Sequence, residues 1–420
     1  MMGSLSGGSW TVGDMAQTAD VVVIGSGGFG AATAYFLARR GLDVALVDKF
    51  GISSQTSPRA AGFAATIRAT DVLTRVASRA ADLLAGFEAE TGRSIGAIRA
   101  GSLKIARHPL DLPIIDRDEA TGQRHSMGTR RIDPAEVAAY NSQLRPDGIL
   151  AALHMPTDLY FEAQQVAIGF AAEAARLGAR LMPMTPVHAV RRDAGGRVQG
   201  VDTLAGPIDA PFVVDAAGAW ARQVARLAGF EMPVVTMRHQ LFITEPIEGV
   251  RPEDAMIRFV DAAVYARPCW GGLLVGGYEP EPLPIDMDVQ PANFEAGDVP
   301  LDWSVLRALA DRVTRQLPAL REAPIRLYRG GLPTLTVDGQ HIVGPVPGAA
   351  GMFVAAGCNV SGLSMSPAIG EQLAHWIVDG QPTEDLSIMA PDRFGPEWRD
   401  EVKARQTAVD RYTTLFRSTI

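Results

Sequence analysis

The stretch Asp20-Val-Val-Val-Ile24 running into Gly25-Ser-Gly27-Gly28-Phe29-Gly30 constrains this chain more than any other. A continuous β-branched run reads as a strand buried on both faces. The glycines then require a tight turn into a helix, Ala31 to Arg40, which Gly41 ends. A second strand follows, from Leu42 to Asp48. Strand, glycine turn, helix, and strand with a terminal acid form the arrangement that binds a dinucleotide. Gly25 permits the turn, Gly27 lets backbone approach a pyrophosphate, and Gly30 lets the helix lie on the strand. Gly28 and Phe29 lead into the helix, whose N-terminus offers free N–H groups and a positive dipole end to phosphate. Asp48 is expected to accept hydrogen bonds from ribose, with Lys49 beside it. A glycine turn without a ligand, or a nicotinamide cofactor, are the competing readings.

Three further segments favour FAD over a nicotinamide. One is Ser53 to Gly62, which runs beside the cofactor with Ser57, Arg59, Ala60, Ala61 and Gly62. Another is Asp215-Ala-Ala-Gly-Ala-Trp220, where Ala217, Gly218 and Trp220 follow a buried strand. The last is Gly357 to Gly370, a second strand-to-helix junction carrying Asn359, Ser361, Gly362, Leu363 and Ser364. Val187 and Gly331 complete the cofactor-side set.

Residues 1–17 are Gly/Ser-rich and aperiodic and read as a disordered leader, with Met15 as an alternative start. Helical periodicity covers 71–93 and 164–178. A hairpin is expected over 188–204, turning at Ala194-Gly195-Gly196. From 231 to 325 the pattern turns to short alternating strands. The chain thus divides into a discontinuous cofactor domain (18–105, 151–230 and 326–385), a substrate domain (106–150 and 231–325) and a C-terminal helix or tail (386–420). The fold class is α/β: a Rossmann-like FAD-binding domain with an inserted antiparallel-sheet (α+β) substrate domain. A net charge of −8 over 420 residues argues against nucleic acid or an anionic membrane as a partner. Cys269 and Cys358 are too few for a zinc cluster or a disulfide framework. No apolar run approaches the ~20 residues that span a bilayer, and a cytoplasmic location is expected.

With these residues in view, the chain resembles the glutathione-reductase-type flavoproteins of the D-amino acid oxidase superfamily. It is most similar to the dimethylglycine and sarcosine dehydrogenases and oxidases. The likeness rests on the segments Arg238 to Glu245, Tyr265-Ala-Arg-Pro268, Gly271 to Pro280, and Thr334 to Gly339 followed by Ile342-Val-Gly-Pro345. It implies oxidation of a C–H bond next to an amine nitrogen by hydride transfer to flavin N5. The partners it implies are a small-molecule amine and an electron acceptor, either oxygen or a redox protein. By the same likeness His239 and Tyr265 contact the amine, although a strand histidine or tyrosine is often a satisfied core residue. Arg68 is the candidate for a substrate carboxylate, with Arg267 ranked lower. A deaminating amino-acid oxidase and a non-catalytic regulatory or assembly subunit are the alternative readings.

The chain also departs from those relatives. Arg59 stands where many carry a flavin-linking histidine, and Gly331 stands where the sarcosine-oxidase branch carries a flavin-linking cysteine. Non-covalent FAD is therefore expected. Ser364 replaces a lysine of that branch. Relatives often continue into a folate-binding domain, which is expected to be missing here. Tyr412-Thr-Thr-Leu-Phe-Arg-Ser418 reads as a translated sequencing adapter, with a genuine frayed tail as the alternative, so residues 412–420 are set aside from the fold reading.

Overall fold

A six-stranded sheet forms the centre of the cofactor half. The computed structural model describes residues 17–418. The sheet order is Ile342–Pro345, Met352–Ala356, Phe212–Asp215, Val21–Ile24, Val44–Val47 and Arg180–Met182. All neighbours run parallel except the first pair. Val21, Val22 and Val23 are fully buried, because both sheet faces are covered. On one face pack the helices Gly28–Arg39, Ala163–Arg176 and Gly362–Asp379. On the other lie the hairpin Val187–Arg192/Val198–Thr203 and the short helix Ala221–Leu227.

The fingerprint closes by contact. A Cβ added to Gly30 would overlap the carbonyl oxygen of Gly25, and one on Gly25 would sit 2.5 Å from the Ala216 oxygen. Gly25 also has φ +99°, which disfavours any side chain. The helix therefore begins directly against the strand ends and aims its N-terminus between Val21–Ile24 and Phe212–Asp215.

The second half is built on an eight-stranded sheet. Its order is Ile325–Gly331, His239–Thr244, Gly272–Gly277, Val264–Cys269, Met256–Phe259, Ser102–Ala106, Ala151–Met155 and Arg130–Ile132. Only Met256–Phe259 and Ser102–Ala106 pair in parallel. Three of these strands come from segments that the sequence places in the cofactor domain. The two halves thus interleave more closely than that division has them.

The helix expected over 71–93 spans Asp71–Thr91, with Thr70 capping the Leu73 N–H and Gly92 closing it at φ +74°. Residues 1–16 of the expected leader lie outside the described residues. Gln17 does not fit that expectation, since Gln17–Thr18 pairs as a short parallel strand with Ile208 and Asp209. The C-terminal expectation is corrected as well. Glu401–Ser418 is a helix, and Tyr412, Leu415 and Phe416 are buried among Met237, Leu241, Tyr265 and Tyr278. Whatever encodes residues 412–418, an apolar stripe at helical spacing packs them against the second sheet. Resequencing the locus decides their origin. Among the described residues no helix is long and apolar enough to cross a membrane, and no group of three or more His, Cys, Asp or Glu is placed to hold a metal.

The Gly30–Gly25 contact yields a prediction. Gly30→Ala forces helix and strand apart and is expected to destabilise the protein by about 3 kcal/mol. Denaturant unfolding measures this; a stability unchanged from the parent would refute the tight contact.

Candidate functional site

One cavity runs between the two halves. On the cofactor side it is lined by Gly27, Gly28, Phe29, Ser57, Arg59, Ala60, Ala61, Gly62, Gly218, Gly331, Ser361, Gly362, Leu363 and Ser364. On the substrate side it is lined by Arg68, His239, Arg258, Tyr265 and Tyr278. Residues scattered from 27 to 364 in the sequence reading thus meet in one place.

The phosphate end fits a dinucleotide. The helix Gly28–Arg39 has no side-chain cap at Gly27 and no acid in its first turn. The Gly28 N–H donates to Ser57 Oγ at 2.9 Å. Added Cβ atoms at Gly27 and Gly28 would lie 3.2 Å from Ser57 Oγ and 3.0 Å from Leu363. First-turn N–H groups in a glycine cradle, with the Ser57 side chain bonded to Gly28, suit a pyrophosphate. Ser361 at the start of the helix Gly362–Asp379 likewise has no side-chain cap, and Ser364 Oγ donates to the Ser361 carbonyl.

Several expected cofactor residues line no part of this cavity and act from behind it. Asp48 accepts from the Ser26 N–H at 2.7 Å, the Ser26 hydroxyl at 2.6 Å and the Phe50 N–H at 2.7 Å. It organises the turn, with lone pairs left for a ribose. Lys49 lies over the rings of Phe50 and Trp220. Val187 and Ala217 pack against the core under the central sheet. Gly357 adopts φ +63°. Asn359 accepts from the Thr336 N–H and donates to the Gly357 carbonyl, bracing the second junction.

The substrate side rests on a row across the second sheet. Lys104, Arg258, Tyr265 and Gly276 are successive cross-strand partners. Such partners project to one face. A Cβ on Gly276 would overlap the Tyr265 hydroxyl, so the glycine is what lets that ring lie across the sheet. Tyr265 Oη thereby reaches His239 Nε2 at 2.9 Å, while Nδ1 meets the Tyr412 hydroxyl at 2.7 Å. Burial pushes the His239 imidazole down to about 4 and the Tyr265 phenol well up, so both are neutral near pH 7.

The two arginine candidates part company. Arg267 donates to the carbonyls of Ala61 at 2.7 Å, Pro268 at 2.8 Å and Phe161 at 3.2 Å. It lines no part of the cavity and holds the Ala61–Gly62 segment in place. Arg68 does line the cavity, and its Nε has no hydrogen-bond partner. Burial, with the charge of Arg258 adding, lowers it to about 10, still cationic. Sequence reasoning missed Arg258, Tyr278 and Tyr412. An arginine within the otherwise apolar strand Met256–Phe259 was the available signal for Arg258, and the Gly-Gly-Tyr motif was the signal for Tyr278. Tyr412 lay in the stretch set aside.

A family model described as FAD dependent oxidoreductase matches residues 20–376. The mitochondrial sarcosine dehydrogenase of Homo sapiens is 31% identical over 412 residues, covering 95% of this chain and 44% of that protein. The mitochondrial pyruvate dehydrogenase phosphatase regulatory subunit of Mus musculus is 29% identical over 382 residues, covering 90% of this chain and 43% of that protein. The crystal structure of L-proline dehydrogenase from P. horikoshii matches with a TM-score of 0.81 at 25% identity, covering 90% of this chain and 98% of that one. The chain thus spans less than half the length of these two curated relatives.

The buried imidazole sets a pH dependence. An unfolded histidine titrates near 6.5, whereas folded His239 titrates at about 4. Between those values the unfolded chain holds a proton that the folded chain lacks. Stability is therefore full above the unfolded value and falls as the pH drops towards 4. His239→Gln is expected to remove about 2 kcal/mol of the loss between pH 7 and 5. Denaturant titrations at the two pH values measure it; identical losses in parent and variant would show that His239 is not held neutral.

Proposed function

Because the chain belongs to the FAD dependent oxidoreductase family, we propose that it oxidises the C–N bond of a secondary or tertiary amine bearing a carboxylate, an N-methyl or N-alkyl amino acid. The observation that carries this reading is the neutral His239–Tyr265 pair opening on the same cavity as an unpartnered Arg68. Bound FAD supplies the hydride acceptor.

The residues of the chain do the rest. The Arg68 guanidinium takes the carboxylate and so orients the amine. Tyr265, its hydroxyl held by His239 Nε2, hydrogen-bonds the nitrogen. Neither carries charge, so neither offsets the cost of burying an ammonium. The site thereby selects the neutral amine, whose lone pair is free to form the C=N bond as hydride departs. Phe63, Tyr278 and Leu332 line the same cavity and limit water around the reacting carbon. The iminium product then hydrolyses, releasing formaldehyde when the lost group is N-methyl.

The flavin is held without a covalent bond. His239 is the one histidine lining the cavity among the described residues, and Arg59 lines the cofactor-side loop. Cys358 also lines it, but burial raises its thiol, which accepts from the Thr334 N–H. Acid precipitation is expected to leave a white pellet and FAD in solution; a yellow pellet would overturn the assignment.

The likeness to a regulatory subunit favours one other reading, a flavin fold that does no chemistry. Anaerobic titration with sarcosine, dimethylglycine and longer N-methyl amino acids separates the two. We expect the flavin to bleach and formaldehyde to be released, with kcat/KM about 100-fold lower in His239→Asn. Ammonia in place of formaldehyde would indicate deamination, and an FAD-loaded protein that no amine bleaches would indicate the regulatory role.

A further inference from the structure

We propose that Arg258 is the second arm of a two-guanidinium anchor for the substrate carboxylate, facing Arg68 in the cavity. This rests on the amine-oxidising reading and specifies how that site recognises its acid. Arg258 is 1% exposed, and its Nε and Nη2 have no hydrogen-bond partner. Arg68 Nε is also without one. Both residues line the cavity, and the charge of Arg258 lowers the affinity of Arg68 for its proton. A buried N–H without a partner costs roughly 1–3 kcal/mol, more when charged. Two such guanidinium groups lining one cavity call for an anion.

The protein supplies none. Asp158 is the carboxylate whose charge acts on both arginines. Its oxygens already accept from the Thr66 N–H and hydroxyl and from the Ser102 hydroxyl. Asp118 is engaged by Lys104 and Arg117. Tyr278 faces the pair but is kept neutral by burial. Lys104 and Asp118 cancel, Arg117 lies outside the cavity with its side chain 43% exposed to solvent, and Asp158 offsets one of the two arginines at longer range. One positive charge in the cavity remains, which a single carboxylate neutralises, one oxygen to each guanidinium.

The position of Arg258 is fixed. Its guanidinium lies 5.5 Å from the ring centroids of both Phe63 and Phe416. Its Cα registers opposite Tyr265 in the sheet. An acid held there places the amine of a short amino acid beside Tyr265 and His239. A cation held between aromatic rings merely to pack would not leave two donors unpaired on a cavity wall.

The test uses the FAD-loaded protein and two probes that cannot be oxidised: methoxyacetate, and its neutral isostere methoxyacetamide. Binding is measured by isothermal titration. Arg258→Met is expected to weaken methoxyacetate about 30-fold or more, to leave methoxyacetamide unchanged, and to be partly rescued by Arg258→Lys. Arg68→Met combined with Arg258→Met should cost less than the sum of the two, because both arms hold one carboxylate. Equal weakening of both probes, or of neither, would overturn the proposal. So would additive losses, or tighter binding of a non-oxidisable dicarboxylate such as oxydiacetate than of methoxyacetate. Should Arg258→Met fail to load FAD, the same comparison is read from Arg258→Lys against the parent. Because neither probe is turned over, an anchor that holds in a protein that oxidises no amine would refute the proposed activity alone.

Discussion

Everything in the site depends on how closely a helix can start against the end of a strand. No side chain fits between Gly30 and the Gly25 carbonyl, and almost none between Gly25 and Ala216. That contact fixes where the helix Gly28–Arg39 begins, hence where its first-turn N–H groups point. The second glycine junction, at Ser361 and Gly362, reaches the same cavity alongside the first, with Leu363 close to Gly28. Two helix N-termini converging on one cleft make it favourable to anions. The substrate sheet then closes that cleft rather than building one of its own.

The electrostatics divide the cavity by task. Burial acts on every ionisable group there, but with different outcomes. It drives His239 and Tyr265 to their neutral forms, because each can lose its charge by gaining or giving up one proton. It cannot do the same to Arg68, which remains a cation even when lowered to about 10. A neutral hydrogen-bonding wall therefore sits next to a charged one. That asymmetry matches a ligand with an uncharged nitrogen at one end and an acid at the other.

What the sequence made legible was local. The fingerprint, its strand and its helix are contiguous, and their sterics hold whatever surrounds them. Asp48 was also identifiable, although it works by ordering Ser26 and Phe50. What stayed hidden depended on register between distant strands. Arg267 and Arg258 are both arginines in short buried strands, and nothing local separates them. Arg267 lies two residues beyond Tyr265, on the same face but about 7 Å further along, where it meets the carbonyls of Ala61 and Phe161. Arg258 lies directly opposite Tyr265, a fact of pairing between Met256–Phe259 and Val264–Cys269. Gly276 belonged to a recognised motif, yet its purpose appears only when the Tyr265 ring is seen lying over it.

The C-terminal helix complicates the histidine but not its pairing with Tyr265. Neutral imidazole has one N–H and one lone pair. With Tyr265 on Nε2 and Tyr412 on Nδ1, one hydroxyl must donate to the ring and the other accept from it. Remove Tyr412, as an adapter origin for residues 412–418 requires, and Nδ1 loses its partner while Nε2 keeps its own. The Tyr265 contact comes from strand pairing: His239 is in register with Gly331, and Tyr265 with Gly276. Neither register involves the helix Glu401–Ser418. The imidazole–phenol pair is thus a property of the sheet, while the burial that keeps the imidazole neutral draws also on Tyr412.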